Sequence, residues 1–240
     1  MLGIFLVSGM AMAAPFTFGD GGSALQDVLN DITIAPTYNT SSVDVTADAM
    51  LDSSDSYWNI TGTGGSIATM IIEIAGFAEN NLFGVYNNGK YVRLFDGSAT
   101  AGAQVTLSIA AGGSVYVNHI DTGVDFTGTI FGYYLDSSYY STGGLWHSDK
   151  SLNSDEMDHM AAYQGTNTDT VQLPIWGAGL WTNNEYILAF EDLRKDVSDK
   201  DYTDMVVMVE SVTPVPEPCT LLLLGFGLIG LAGAGRKFKK

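Results

Sequence analysis

Short apolar runs rich in β-branched and aromatic residues recur through the middle of the chain, separated by Gly, Ser, Thr, Asn and Asp. They are Ile67 to Phe77, Leu82 to Tyr86, Tyr91 to Phe95, Val105 to Ile109, Val115 to Ile120, Thr129 to Leu135, Tyr186 to Phe190 and Met205 to Val212. Such side chains fit a pleated, half-buried surface, and turn residues at this spacing break the chain into short strands. The pattern predicts an all-β protein, a β-sandwich of jelly-roll-like kind. The sharpest turn is Asn87-Asn88-Gly89-Lys90, where Asn-Gly supplies the positive φ angles of a tight hairpin. Only Ser23 to Asn30 reads as helix, with Ala24, Leu25, Val28 and Leu29 at helical spacing and Ser23 as its cap. No repeat or interior linker shows, and the Pro-rich stretch Thr213 to Pro218 is the one clear hinge.

The two ends follow other patterns. From Cys219 to Gly235 the chain runs 17 residues without a charge. As a helix it covers about 25 Å, just enough to cross a bilayer as a single C-terminal transmembrane helix. Arg236, Lys237, Lys239 and Lys240 follow at once and hold that end in the cytoplasm as a membrane stop, leaving everything before Pro218 outside. At the other end, Leu2 to Met10 is apolar and Ala11-Met12-Ala13 is a small-x-small site, so residues 1 to 13 read as a signal peptide cut by signal peptidase after Ala13. No Lys or Arg precedes that run, which points to a true start upstream of Met1.

Val-Pro-Glu-Pro, then a Leu- and Gly-rich helix, then a basic terminus resembles the PEP-CTERM sorting signal of Gram-negative bacteria, with Pro216, Glu217 and Pro218 as its motif. The resemblance implies exosortase as a partner. The chain would be membrane-anchored through its helix before processing, then at the cell surface or extracellular. The signal peptide (1–13) and the sorting and anchor segment (213–240) are thereby set apart, and a second resemblance, over residues 128–212, separates that stretch from an N-terminal β region (14–127).

Charge sharpens this picture. All 27 acidic residues but only six of the ten basic ones precede Arg236, so the exported part carries six positive against 27 negative charges, a net of −21. Nothing so acidic has an electrostatic reason to bind nucleic acid; it attracts cations instead. Cys219 is the only cysteine, so the domain folds without disulfides, which a chain of about 200 residues permits.

Residues 128 to 212 carry a second resemblance. Phe131-Gly132-Tyr133, Leu152-Asn153, Asp158-His159-Met160-Ala161-Ala162-Tyr163, Ile187 to Leu193 and Ser198 to Asp204 together look like the family called domain of unknown function 4114. That family is found in bacterial surface and secreted proteins, often beside PEP-CTERM tails. It implies location and fold, and no enzymatic activity comes with it.

Within that stretch Glu191, Asp192, Asp196, Asp199, Asp201 and Asp204 put six carboxylates in 14 residues, between two apolar strands. Packed acids need a counterion, and Ca²⁺ takes six to eight oxygens from flexible loops. The expectation is calcium on Glu191, Asp192, Asp199, Asp201 and Asp204; the bland alternative is a solvated loop with Lys195 and Lys200 as partners. Asp199, Asp201, Asp204 and Glu210 mimic EF-hand spacing, but the Gly is missing and β residues follow, so an EF-hand is rejected. His119, His147 and His159 lack zinc-site spacing and read as structural, His159 least so. Ser66 and Ser114 are turn residues and no catalytic residue stands out. Trp58, Trp146, Trp176, Trp181 and the pairs Tyr133-Tyr134 and Tyr139-Tyr140 fill the core or stack on exopolysaccharide, the core being favoured. The sum is an exported, non-enzymatic surface or extracellular-matrix protein; the rival is an extracellular polysaccharide-acting hydrolase.

Overall fold

The computed structural model describes residues 17–62, 65–72 and 78–216. The signal peptide, Glu217, Pro218, the transmembrane helix and Arg236, Lys237, Lys239 and Lys240 lie outside the described residues. What is described is mostly strand, in four sheets, with few helices; among the described residues no helix is long and apolar enough to cross a membrane.

The largest sheet has seven strands, every neighbour antiparallel, in the order Met160–Gln164, Glu185–Phe190, Met205–Glu210, Ser66–Ile72, Gln104–Ile109, Ser114–Val117 and Ile120–Asp125. A four-stranded sheet runs Leu145–His147, Gly132–Asp136, Leu82–Asn87, Lys90–Phe95. These two sheets share one core. Phe83, Val85, Val92, Phe95, Tyr133 and Leu135 of the smaller sheet meet Leu107, Val115, Met160, Leu188, Phe190, Met205 and Val207 of the larger.

Alternate residues of the same strands face the other way. Ala161, Tyr163, Ile187, Ala189, Val206 and Met208 pack in a second core with the helix Ser23–Ile32, Val171, Trp181 and Tyr202. Glu185–Phe190 and Met205–Glu210 are therefore buried on both faces, which is why they read as unbroken apolar runs instead of alternating ones.

Local chemistry explains where the strands stop. The predicted hairpin forms, with Asn88 at φ 48° and Gly89 at φ 76°. The expected strand Val115 to Ile120 is instead two, Ser114–Val117 and Ile120–Asp125: Asn118 (φ 51°) and His119 (φ 65°) make a two-residue turn of the same kind, without glycine. The run Met205 to Val212 also breaks. Ser211 at φ 58° turns Val212–Pro214 out of the large sheet to pair with Trp58–Ile60. Of Ile67 to Phe77, Ser66–Ile72 is strand and 73–77 lies outside the described residues. The helix is capped by Asp20 and not by Ser23: the Ala24 N–H (2.7 Å) and the Ser23 hydroxyl (3.0 Å) both donate to its carboxylate. Short turns of helix at Asp52–Asp55, Ala78–Asn80 and Lys150–Leu152 carry no sequence signal long enough to predict.

Candidate metal centre

Residues 191–204 connect two neighbouring antiparallel strands whose ends, Phe190 and Met205, sit directly opposite each other. The pairing forces the start and finish of the loop together. The Asp192 N–H donates to the Asp204 carboxylate at 2.9 Å, and Asn81 Nδ2 donates to Asp192 Oδ2 at 3.1 Å.

The first two acids are pinned from behind. The Glu191 N–H donates to the His159 carbonyl (3.0 Å), and His159 Nδ1 meets the Glu191 carbonyl at 2.9 Å. The Trp146 indole N–H (2.8 Å) and the Ser137 hydroxyl donate to the Asp192 carbonyl. Trp146 also stacks on the His159 ring, centroids 3.8 Å apart and planes 7° from parallel. With both main-chain carbonyls taken, it is the Glu191 and Asp192 carboxylates that face the other acids of the loop, Asp192 Oδ2 already holding the Asn81 amide.

Further along, Lys200 (φ 60°) and Tyr202 (φ 57°) take left-handed backbone on either side of Asp201. This drives Tyr202 into the second core, its hydroxyl donating to the Asp158 carbonyl at 2.7 Å, while Asp201 stays at the loop surface. Asp201 Oδ1 accepts from the Thr203 N–H (2.9 Å) and hydroxyl (2.8 Å). Gly19 lies so close that a Cβ there would meet the Asp199 carbonyl oxygen at 1.8 Å.

All five predicted ligands therefore come together, in two groups. Oxygens of Glu191, Asp199 and Asp201 lie within 4.8 Å of one another, as do those of Glu191, Asp192 and Asp204. Glu191 is 0 % exposed and Asp192 2 %, so for these two the solvated loop does not hold. Asp199 is exposed. Among the described residues no salt bridge joins Lys195 or Lys200 to these acids; the sixth acid, Asp196, faces Arg194 in solvent at 3.5 Å. Glu210 sits opposite Glu185 at the far end of its strand, so the EF-hand spacing has no spatial counterpart.

The electrostatics follow from burial without a cation. Burial first, then the Asp199 charge, raises the Glu191 carboxyl to about 7, with the Ser198 hydroxyl and Leu193 N–H working against it. Burial, then Asp192 and Glu191, raises Asp204 to about 9. Asp192 is raised too, by burial foremost. Burial and mutual repulsion thus favour the protonated form of all three carboxyls.

Sequence reasoning missed the support of the site. Asn81, Ser137 and Trp146 lie far from the loop in the chain, and only His159 carried any signal, from its Asp-His block. Burial lowers the His159 pKa, and His147 is buried against the Tyr91 hydroxyl at 2.9 Å. Trp58, Trp146, Trp181, Tyr133 and Tyr134 fill the interior, whereas Tyr139 is 74 % and Trp176 42 % exposed. Tyr139 borders a cleft of about 530 Å³ with Glu79, Asn80, Asp96, Asp136 and Ser138.

The fold and this loop define an acidic, mostly-β module with a carboxylate-lined strand connection. Residues 100–212 match the family model described as Domain of unknown function (DUF4114), and residues 214–237 match the PEP-CTERM protein-sorting motif. The first match begins at 100, not 128, and lies N-terminal to the motif. It carries every strand of the seven-stranded sheet except Ser66–Ile72. Comparison with curated proteins and with solved structures returned no match. The sorting motif implies an exported protein, transiently anchored in the membrane and recognised and processed by exosortase.

Proposed function

We propose that this chain is a non-enzymatic cell-surface or extracellular-matrix protein of a Gram-negative bacterium, a β-sandwich whose acidic loop 191–204 binds calcium. Two sheets with one shared core support the sandwich. The observation that carries the calcium is the burial of Glu191 and Asp192 beside Asp204 with, among the described residues, no salt bridge to any of the three. Uncompensated buried carboxylates cost several kcal/mol, and calcium offsets that cost with the oxygens a flexible loop supplies. Isothermal titration of the full chain with calcium tests this, heat release on binding being expected and its absence overturning the site. Structural roles for His147 and His159 support the non-enzymatic reading.

Processing follows from the tail. In a host with active exosortase the mature protein is expected to begin at Ala14 and to lack the residues after Pro218. Mass spectrometry finding Lys240 on most of the protein would overturn this.

A second reading is favoured by the cleft beside Tyr139. An exposed ring next to carboxylate, amide and hydroxyl groups suits a neutral exopolysaccharide, the ring stacking on a sugar face and the acids accepting its hydroxyls. The Ser98 hydroxyl and N–H hold Asp96 below its ordinary pKa, which leaves it an acceptor rather than a general acid. Tyr139→Ala is expected to weaken binding to the host polysaccharide by roughly fivefold, the worth of about 1 kcal/mol for one ring contact. Unchanged binding would remove the cleft from consideration, and release of reducing ends by the parent protein would favour the hydrolase.

A further inference from the structure

Each acid triad in the loop is compact enough to fit within one calcium shell. With Ca–O distances of about 2.3–2.6 Å, two oxygens on one ion stand at most about 5 Å apart. Both triads satisfy that limit, and the only residue they share is Glu191. The triads also differ in setting. Glu191, Asp192 and Asp204 form the inner one, reached by the Asn81 amide and by the Asp192 N–H; Glu191, Asp199 and Asp201 form the outer one at the loop surface.

The oxygens left over point the same way. Glu191 Oε1 accepts a long bond from the Leu193 N–H (3.4 Å) and the Ser198 hydroxyl also acts on the carboxylate, while the buried Oε2 has no donor in good hydrogen-bonding geometry. Thr203 occupies Asp201 Oδ1 and leaves Oδ2 for a cation. Charge adds a second argument. One divalent ion among five carboxylates leaves three negative charges in a partly buried cluster; two ions leave one.

We propose that the loop holds two calcium ions, an inner one on Glu191, Asp192 and Asp204 and an outer one on Glu191, Asp199 and Asp201, with the Glu191 carboxylate bridging them. This rests on the calcium reading above and goes beyond it in stoichiometry and in the role of one residue. The inner ion is shielded by protein and binds first; the outer keeps more of its water and leaves first. The pair knots the loop to both strand ends at once.

The test is a count of calcium per chain, by native mass spectrometry and isothermal titration, on the full-length protein in mild detergent after treatment with chelator. The parent chain is expected to take two ions in two steps. Asp199→Asn, a change at an exposed position, is expected to keep the tighter step and lose the weaker. Glu191→Gln is expected to lose both steps, and its melting curve in chelator establishes that it is folded. One ion in the parent, or two retained in Asp199→Asn, would overturn the bridged pair while leaving calcium binding intact. No ion in the parent would overturn both.

Discussion

Calcium at a hundredfold excess over its dissociation constant is expected to raise the melting temperature of the chelator-treated protein by roughly 5 to 10 °C at pH 8. Binding to the native state alone is worth about 2.7 kcal/mol at that excess, and a domain of this size gains about 2–4 °C per kcal/mol. Magnesium is expected to do much less, because it keeps its waters and demands a tighter octahedron than this loop provides. Glu191→Gln should lose the calcium response while melting higher than the parent in chelator at pH 8, since an amide needs no proton to be neutral there. A parent protein whose melting is indifferent to calcium would leave the acids as a strained but metal-free loop.

The pH dependence of the calcium-free form comes with this prediction. Glu191 at about 7, Asp204 at about 9 and Asp158, raised to about 8 by burial and then by Asp55, all lie above the 3.8 to 4.5 of ordinary carboxyls. The folded chain therefore binds more protons than the unfolded one, and stability falls as pH rises. The contribution is fully present below the unfolded values and is lost through about pH 9. His147 and His159, whose pKa values burial lowers, act oppositely but only around and below their ordinary 6.5. Between pH 6.5 and 9 the acids act alone. Melting in chelator is expected to fall across that window, and calcium should remove the share of the fall due to Glu191 and Asp204 by taking the place of their protons, leaving that of Asp158.

Trp58→Ala is expected to cost about 3–5 kcal/mol, lowering the melting temperature by roughly 6 to 20 °C, or to prevent folding. Trp58 stands where the two sheets meet. Its ring packs edge-on against Tyr133 of the four-stranded sheet (5.8 Å) and Tyr186 of the seven-stranded sheet (4.9 Å). Its indole N–H donates to the Asp55 carbonyl at 2.7 Å, and its main chain exchanges two hydrogen bonds with Phe131. Removing it opens a cavity between layers that cannot close without sliding one sheet over the other. Trp58→Phe should cost clearly less, since it keeps most of the apolar volume and loses mainly the donor. Thermal melts of the three proteins side by side decide the matter; a loss of only a degree or two in Trp58→Ala would mean the sheets do not share this core.

What could be read in the chain is whatever neighbouring residues settle among themselves. Asn88-Gly89 makes its hairpin because two residues with positive φ suffice, and Glu185–Phe190 and Met205–Glu210 are strands because β-branched and aromatic residues favour a pleated, packed surface. The crowd of acids at 191–204 was equally visible, since it is a fact of composition within one loop. Asn118-His119 carries no glycine to mark its turn, and Ser23 lies nearer the apolar face than Asp20, whose carboxylate caps the helix.

Tertiary structure alone decided which acids matter. Asp196 turns to solvent and Glu210 ends up opposite Glu185, whereas Glu191 and Asp192 are sealed behind Trp146, His159, Ser137 and Asn81. Those four residues come from parts of the chain distant from the loop, and only the pairing of strands brings them to it. A carboxylate's cost, and so its appetite for a cation, depends on the water it has lost and the charges it faces, and both are set by neighbours in space rather than in sequence.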